Sequence, residues 1–431
     1  SLCCGSHSAS IAAALAMVPA PAMVTHPPAK EEGTGESGAD CPGAGAVACR
    51  LAAVPLAKLR LEAPPSEQQL LAEELWAQGV VEYVVGSSQG QMGAGVDTFA
   101  SSLKADPRNP SRHYFLGCIT SAFHQKGKEA AVCFENAIAA DPSFALAYQE
   151  LVMLYEAWGN FEAARTVARR AIEKGVRWTD EWQRPPSWTP GLTANAWWDR
   201  QHFDWAEELE AAWEDIRDEA LRLRGGCKAQ GMPKEWTAVG SETATHDADI
   251  VSGGEWREFV LFGASAPRGP DSEAARCCPK TVAAIERLLP AAVAMAQLGV
   301  GEIIFSALAP GTRLLPHCAS SNIRLTCHLG LVCPKGARIK VGHTWGEWEE
   351  GKCVFFDDSF LHEIANDAES VRIVLLIRFW HPELELDKVM QILEQGVKEF
   401  EDMNRMRMSP PMTALAAVKV NEAMATASGP A

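Results

Sequence analysis

Between residues 306 and 382 two histidines and an arginine follow one another in the order His317, His362, Arg372. Imidazole is a good ligand for iron(II), and non-haem iron sites commonly combine two histidines with one carboxylate, leaving coordination positions open. Those positions can take the two donor oxygens of 2-oxoglutarate and then dioxygen, while the protein fixes the geometry and leaves room. Arg372 sits near the start of an apolar run, Val371-Arg372-Ile373-Val374-Leu375-Leu376-Ile377. A guanidinium buried there must find an anion, and a carboxylate held in a bidentate pair is its natural partner. The acidic residue that often stands two positions after the first histidine is missing, since the run reads His317-Cys318-Ala319. A site built on these residues has two protein ligands and fills the third position with water.

The elements that must position these residues read as short strands. In residues 322–331, Arg324, Thr326, His328 and Gly330 fall on one side, and Ile323, Leu325, Cys327, Leu329 and Leu331 on the other. That period of two gives a polar face that lines something and an apolar face that packs. Further strands are expected at residues 301–308, 337–341, 353–356 and 371–379. Pro310-Gly311, Pro334-Lys335-Gly336 and Glu350-Gly351 mark the turns. Many short strands separated by turns suggest a sandwich or jelly roll, with a site on inward-facing residues at its mouth.

A longer series of motifs is more specific. Pro310-Gly311-Thr312, Leu315-Pro316-His317, Arg324-Leu325, His328-Leu329-Gly330-Leu331, Trp348-Glu349-Glu350-Gly351-Lys352, Phe356-Asp357-Asp358-Ser359-Phe360, His362-Glu363 and Trp380-His381-Pro382 stand in this order. The series resembles the aspartyl/asparaginyl β-hydroxylase family over roughly residues 178–384. The resemblance implies a double-stranded β-helix, a jelly-roll variant. It implies β-carbon hydroxylation of Asp or Asn in a protein substrate, coupled to decarboxylation of 2-oxoglutarate to succinate. It implies iron(II) on His317 and His362, the distal carboxylate of 2-oxoglutarate on Arg372 and Ser306, and His328 supporting its other end. Trp256, in Trp256-Arg257-Glu258-Phe259, resembles a family tryptophan beside the cosubstrate. Ala319 sits where the family has a non-acidic residue, in keeping with the missing carboxylate. Thr326 stands where the family often has an arginine that reaches cosubstrate and substrate, which bears on substrate choice more than on iron. Val282 replaces a cysteine expected just after Lys280, so Cys277 or Cys278 cannot form the local disulfide of animal relatives.

Each of these residues also has an ordinary reading. A histidine on a strand is usually structural, a serine in a strand or a buried tryptophan needs no ligand, and Arg372 could belong to a core ion pair. Arg324 either touches substrate or solvates a barrel rim, and His343 and His381 pack or face water. Asp357 and Asp358 precede a turn, where a turn-stabilising or supporting role suits them better than ligation. The 13 cysteines are scattered, odd in number and without zinc-ribbon spacing, so they form no disulfide framework. Cys327 reads as a small core hydrophobe and Cys318 as an oxidisable neighbour of His317.

The first half of the chain differs. Residues 1–64 are rich in Ala, Gly, Pro and Ser, a composition that cannot bury a core and reads as disordered, with a possible targeting remnant. Residues 10–24 are mildly apolar but shorter than the ~20 residues a membrane span needs, so no membrane anchor is evident, and a targeting remnant, a truncated anchor and a plain linker all stay open. From Ser66, which with Gln69 looks like a capping box, the pattern turns helical. Ala105-Asp106-Pro107 recurs as Ala140-Asp141-Pro142, and Gly127-Lys128-Glu129-Ala130-Ala131 echoes Gly159-Asn160-Phe161-Glu162-Ala163-Ala164. This resembles tetratricopeptide repeats over residues 65–177, whose stacked helices form a concave peptide-binding face. A tryptophan-rich connector at 178–198 then joins the repeats to the catalytic region. One amphipathic helix is expected over 203–223, a loose insertion over 225–254, a charged helix over 386–406 and a low-complexity tail.

The expected architecture is an α+β multidomain chain. Low-complexity residues 1–64 precede helical repeats at 65–177, a jelly-roll oxygenase at 178–384, and a helix and tail at 385–431. At 431 residues it is long enough for two cores, and a formal net charge of -16 disfavours a nucleic-acid partner. The expected partner is a protein or peptide substrate held by the repeats. Other readings are a hydroxylase of a lipid acyl chain or free amino acid, a cupin-like metal isomerase, and a catalytically silent binding protein. Family resemblance points to the endoplasmic reticulum; the sequence leaves the cytoplasm open.

Overall fold

The computed structural model describes residues 64–225, 236–239, 250–266, 269–270 and 272–427. Residues 1–63 and most of the expected insertion at 225–254 lie outside the described residues. No helix among the described residues is long and apolar enough to cross a membrane.

The first half folds into successive helices: α1 (Glu67–Ser88), α2 (Val96–Ala105), α3 (Pro110–His124), α4 (Gly127–Ala140), α5 (Ala145–Ala157) and α6 (Phe161–Glu173). Ser66 closes the expected capping box: its hydroxyl accepts from Gln69 N, and Gln69 Oε1 accepts from Ser66 N. Asp106 and Asp141 end α2 and α4, each just before a proline that cannot continue the ladder. The helices pack in pairs, α1 with α2, α3 with α4 and α5 with α6. Glycines let two of the pairs close. A Cβ on Gly79 would sit 2.7 Å from the Phe99 ring, and one on Gly117 would sit 2.6 Å from Phe134. The aromatic cluster Trp76, Phe99 and Phe115 fills one end of this stack, and Tyr114, Phe134 and Tyr148 fill the next section.

The second half contains two antiparallel sheets. The strands are β1 (Trp197–Trp198), β2 (Thr237–Ala238), β3 (Val251–Ser252), β4 (Trp256–Phe262), β5 (Ile303–Leu308), β6 (Arg313–His317), β7 (Arg324–Val332), β8 (Ala337–Val341), β9 (Thr344–Glu347), β10 (Cys353–Phe356), β11 (His362–Asn366) and β12 (Arg372–Trp380). The large sheet runs β1-β10-β7-β12-β5-β4-β2 and the small sheet runs β3-β6-β11-β8-β9. From β5 onward the chain passes back and forth between the two sheets, which is a jelly-roll arrangement. The expected alternation on β7 holds. Leu325, Cys327, Leu329 and Leu331 join Ile373, Leu375 and Ile377 in a core closed by helices α7 (Ala206–Ala211), α8 (Trp213–Leu223), α9 (Glu273–Cys277), α10 (Pro279–Leu288) and α11 (Pro290–Gln297). Arg324, Thr326 and His328 take the opposite face.

Two expectations are corrected. Residues 203–223 form two helices broken at Ala212 rather than one. Trp205 packs on Phe355 and Phe379, while Trp213 covers Gly351 in the turn before β10, and the break lets both tryptophans reach the sheet. The residues read as a low-complexity tail include a helix, α13 (Ala414–Ala427), which follows the long helix α12 (Val389–Met408). Alanine, which made the segment look simple, is the strongest helix former. The two helices return to the first half. Gln149 and Glu150 meet Met403 and Arg407, Tyr83 Oη donates to the Met408 carbonyl, and Trp76 Nε1 donates to the Pro411 carbonyl. Ala416 completes the Trp76 cluster.

Candidate active site

His317 ends β6 and His362 begins β11, and the ladder puts them directly opposite each other. Their ring centroids are 4.2 Å apart. His317 Nδ1 lies 2.7 Å from the Leu315 carbonyl, and His362 Nδ1 lies 2.9 Å from the Phe360 carbonyl. A carbonyl only accepts, so each Nδ1 carries a proton, and in the neutral ring Nε2 carries the lone pair. Such a fixed outer hydrogen bond is the usual way a metal-binding imidazole is oriented. Burial, with His317 alongside, holds the His362 imidazole down at about 3, so it stays neutral.

Beside this pair, in the space between the sheets, polar groups gather from the large sheet. His328 on β7 is buried, and its Nδ1 accepts from Trp348 Nε1 at 3.2 Å. An indole only donates, and burial first, then Arg372, keeps the His328 ring neutral. The proton therefore sits on Nε2, an N–H donor without a partner. Arg372 opens β12 and is 1 % exposed. Its Nη1 makes a long 3.4 Å hydrogen bond to the Ser306 carbonyl, its Nε has no partner, and its guanidinium lies 4.8 Å over the Trp348 ring. No carboxylate pairs with it among the described residues, and burial pulls it down to about 9. Ser306 on β5 accepts from Trp256 Nε1 at 3.1 Å, which ties together two more of the expected residues. Buried cations and N–H donors without acceptors are costly and rare, and here they face one region.

The remaining expected residues lie deeper or toward the rim. Thr326 is buried with its hydroxyl toward Asp358 but closes no hydrogen bond within 3.5 Å. Arg324 is not a solvated rim residue. Its Nη2 lies 3.5 Å from Asp358, and its Nη1 donates to the Val300 carbonyl. Arg378 approaches the same carboxylate at 3.3 Å. Burial works against ionisation of Asp358, but the two arginines outweigh it and hold the carboxyl below its ordinary range. Asp358 Oδ1 has no partner, and the Asp358 carbonyl accepts from Ala319 N at 2.7 Å, which joins the loops that carry the two histidines. Asp357 receives Ser359 N, the Ser359 hydroxyl and Gln183, the turn role expected of it, yet burial pushes it up to about 7. His381 is buried against Trp198 and the Thr193 carbonyl, away from this cluster. Cys277, Cys278, Cys318 and Cys327 are free thiols.

Two participants were not singled out from sequence. Trp348 fixes the His328 tautomer and underlies Arg372, and only its place in a Trp-Glu-Glu-Gly-Lys motif signalled it. Gln183, in the tryptophan-rich connector, reaches Asp357 and Ser359, and no local pattern marked it.

The residues present fit an iron(II) ion with a dicarboxylate. Two imidazoles oriented by backbone carbonyls stand opposite each other, a guanidinium without a carboxylate partner among the described residues and a partnerless N–H lie alongside, and Ala319 offers no carboxylate. Among the described residues no group of three or more His, Cys, Asp or Glu side chains is placed to hold a metal, so any ion here would rest on the two histidines.

Comparison with known proteins finds similar sequences. The model of the Aspartyl/Asparaginyl beta-hydroxylase family matches residues 210–382. The aspartyl/asparaginyl beta-hydroxylase of Mus musculus is 35% identical over 208 residues, covering 47% of this chain and 25% of that protein. The Homo sapiens protein of the same name matches with the same identity and coverage. Aspartate beta-hydroxylase domain-containing protein 2 of Homo sapiens is 35% identical over 189 residues, covering 43% of this chain and 46% of that one. The chain thus spans a quarter of the length of the first two relatives and less than half of the third. Over residues 210–382, then, this chain is similar to the aspartyl/asparaginyl beta-hydroxylase family.

Proposed function

We propose that this chain is an iron(II)- and 2-oxoglutarate-dependent dioxygenase that hydroxylates the β-carbon of Asp or Asn in a protein substrate. The observation that carries the reading is the set of three histidines oriented by their hydrogen bonds. Two stand opposite each other with their Nδ1 atoms held by backbone carbonyls, and the third presents a proton beside a buried arginine that pairs with no carboxylate among the described residues. His317 and His362 would hold the iron. Arg372, with Ser306 steadied by Trp256, would hold the distal carboxylate of 2-oxoglutarate, and His328 would donate to its other end. The bound iron and 2-oxoglutarate supply the activation of dioxygen, which the protein cannot do with its own side chains. The chain supplies position: the β6–β11 ladder sets the spacing of the imidazoles, the Leu315 and Phe360 carbonyls set their rotation, and Trp348 sets the His328 tautomer. Thr326 and Arg324 border the same space, with Arg324 occupied by Asp358.

Residues 178–384 form the oxygenase domain in this reading, and residues 65–177 form tetratricopeptide-like repeats built from the three helix pairs, which present the protein substrate. Residues 385–431 add the helices that return to those repeats.

The test is succinate release by purified protein with iron(II), 2-oxoglutarate and dioxygen, with and without Asp- and Asn-containing peptides. Peptide-stimulated succinate, with one oxygen gained on an Asp or Asn and loss of both signals in His362→Ala, supports the reading. A wild type that binds iron but stays as silent as the variant on every peptide sinks the peptide hydroxylase. A wild type that binds no iron sinks the metal assignment.

A further inference from the structure

Between the helix pairs and the sheets runs a short stretch of the connector, residues 182–187, that touches both histidine-bearing loops. The Arg184 side chain is 1% exposed and lies against Glu156 on α5, with Nε 2.8 Å and Nη2 2.5 Å from the same carboxylate oxygen. Its Nη1 donates to the Glu181 carbonyl. The Arg184 carbonyl faces Cys318 Sγ at 3.8 Å, one residue after His317. Gln183 donates to Asp357 at 2.8 Å and to Ser359 at 3.1 Å, and it pairs with Phe360 as an isolated bridge. The Trp182 carbonyl accepts from Leu361 N at 2.7 Å, one residue before His362. Three consecutive residues thus reach a helix of the array, the residue after one histidine and the residues before the other.

Phe360 is the key contact among these. Its carbonyl takes the Nδ1 proton of His362 and so sets the rotation of that ring. The strand ladder fixes where the His362 backbone lies, but not where its imidazole points. That direction depends on Phe360, which faces Gln183 across the bridge, next to Leu361, whose N donates to the Trp182 carbonyl, while Phe360 N donates to the Asp357 carbonyl. Gln183 in turn is chained to Arg184, which cannot move without stranding a buried charge. Glu156 is held as strictly, because burial raises its carboxyl and Arg184 alone opposes this. A buried pair of this kind contributes little net stability compared with apolar groups of similar size, but it tolerates only one geometry.

We propose that Arg184 is a positioning residue: paired with Glu156, it fixes the connector so that Phe360 aims the His362 imidazole at the ion it shares with His317. This rests on reading the two histidines as metal ligands. A shift at α5 is thereby felt as a change in metal affinity, although α5 touches neither histidine.

The experiment uses the full chain and cobalt(II), titrated in place of iron and read by its visible absorption, alongside thermal melting. The variants are the double substitution Arg184→Met with Glu156→Leu, which removes both charges and strands neither, and Gln183→Ala. We expect the double variant to melt close to the wild type and to bind cobalt(II) about ten-fold more weakly, as is typical for loss of support behind a metal-binding histidine. Gln183→Ala should weaken binding by a similar factor. Wild-type affinity in the double variant overturns the proposal, whatever its melting temperature, because a tie that only packs would move melting alone. If the double variant does not fold, unchanged affinity in Gln183→Ala overturns it instead. A wild type that fails to bind cobalt(II) removes the metal reading itself, and this proposal with it.

Discussion

The two faces of the large sheet are built from alternate residues of the same strands, yet they have opposite character. On the outer face Leu325, Cys327, Leu329, Ile373, Leu375 and Ile377 are fully buried under helices. On the inner face Arg372 and His328 are buried just as deeply with hydrogen-bonding atoms that have no partner. Each unsatisfied buried group costs about 1–3 kcal/mol, more when charged. The outer face offsets that cost through apolar burial worth roughly 25 cal/mol per Å². One face carries the stability that allows the other to stay incomplete until a ligand completes it.

The sharpest way to break this comparison is to make one change on each face. Arg372→Met should raise the KM for 2-oxoglutarate about 100-fold, since truncating one partner of a buried charge pair costs about 2–5 kcal/mol. Its melting temperature should stay level or rise, because a buried unpaired cation is removed. A large loss of melting temperature without a KM effect would make Arg372 a structural residue. On the outer face Leu375→Ala should cost about 2–5 kcal/mol in chemical denaturation and leave the KM for 2-oxoglutarate unchanged in the folded fraction. A KM shift there would mean the faces are not independent.

Smaller effects sharpen the picture. Trp348→Phe keeps an aromatic surface under Arg372 but loses the indole donor that fixes the His328 proton on Nε2. The loss of about 1 kcal/mol in cosubstrate binding predicts a KM increase of roughly five-fold, measured by succinate release. A separate effect is one of pH. Burial raises Asp357 to about 7, so near neutral pH the folded state holds a proton that the unfolded state has released. Its contribution to stability is complete below about pH 4 and declines as pH rises toward 7. Asp357→Asn keeps an acceptor for Ser359 and should flatten that part of the stability profile. An unchanged slope in denaturant titrations from pH 4 to 7 would assign the decline to other groups.

Much of this arrangement was legible in the sequence because it follows a period of two. The alternation around Leu325 to Leu331 separated packing residues from lining residues, and turn residues bounded β8 and β10 at the strands found. His317, His362 and Arg372 stood out because polar residues in apolar runs need a reason. Three features were hidden for physical reasons. The tautomers depend on carbonyl and indole partners such as Phe360 and Trp348, and spacing does not reveal which nitrogen a partner reaches. Arg324 read as either a substrate or a rim residue because its anion, Asp358, belongs to a loop three strands further along the chain. The break at Ala212 came from two tryptophans docking on separate patches, which a helical periodicity cannot register. The alanine-rich helix α13 was missed because composition alone resembled a tail, whereas its burial depends on α1, at the other end of the described chain.

That last contact has a consequence for the order in which the molecule is completed. A ribosome delivers α1 long before it delivers the residues that cover it. Trp76 and Tyr83 find their acceptors at Pro411 and Met408, separated by 335 and 325 residues of chain. Helix pairs can stack on local contacts as they emerge. The outermost helix, however, keeps its indole and phenol without these native acceptors until nearly all the described sequence has been synthesised. The first described element to be made is the last to be finished.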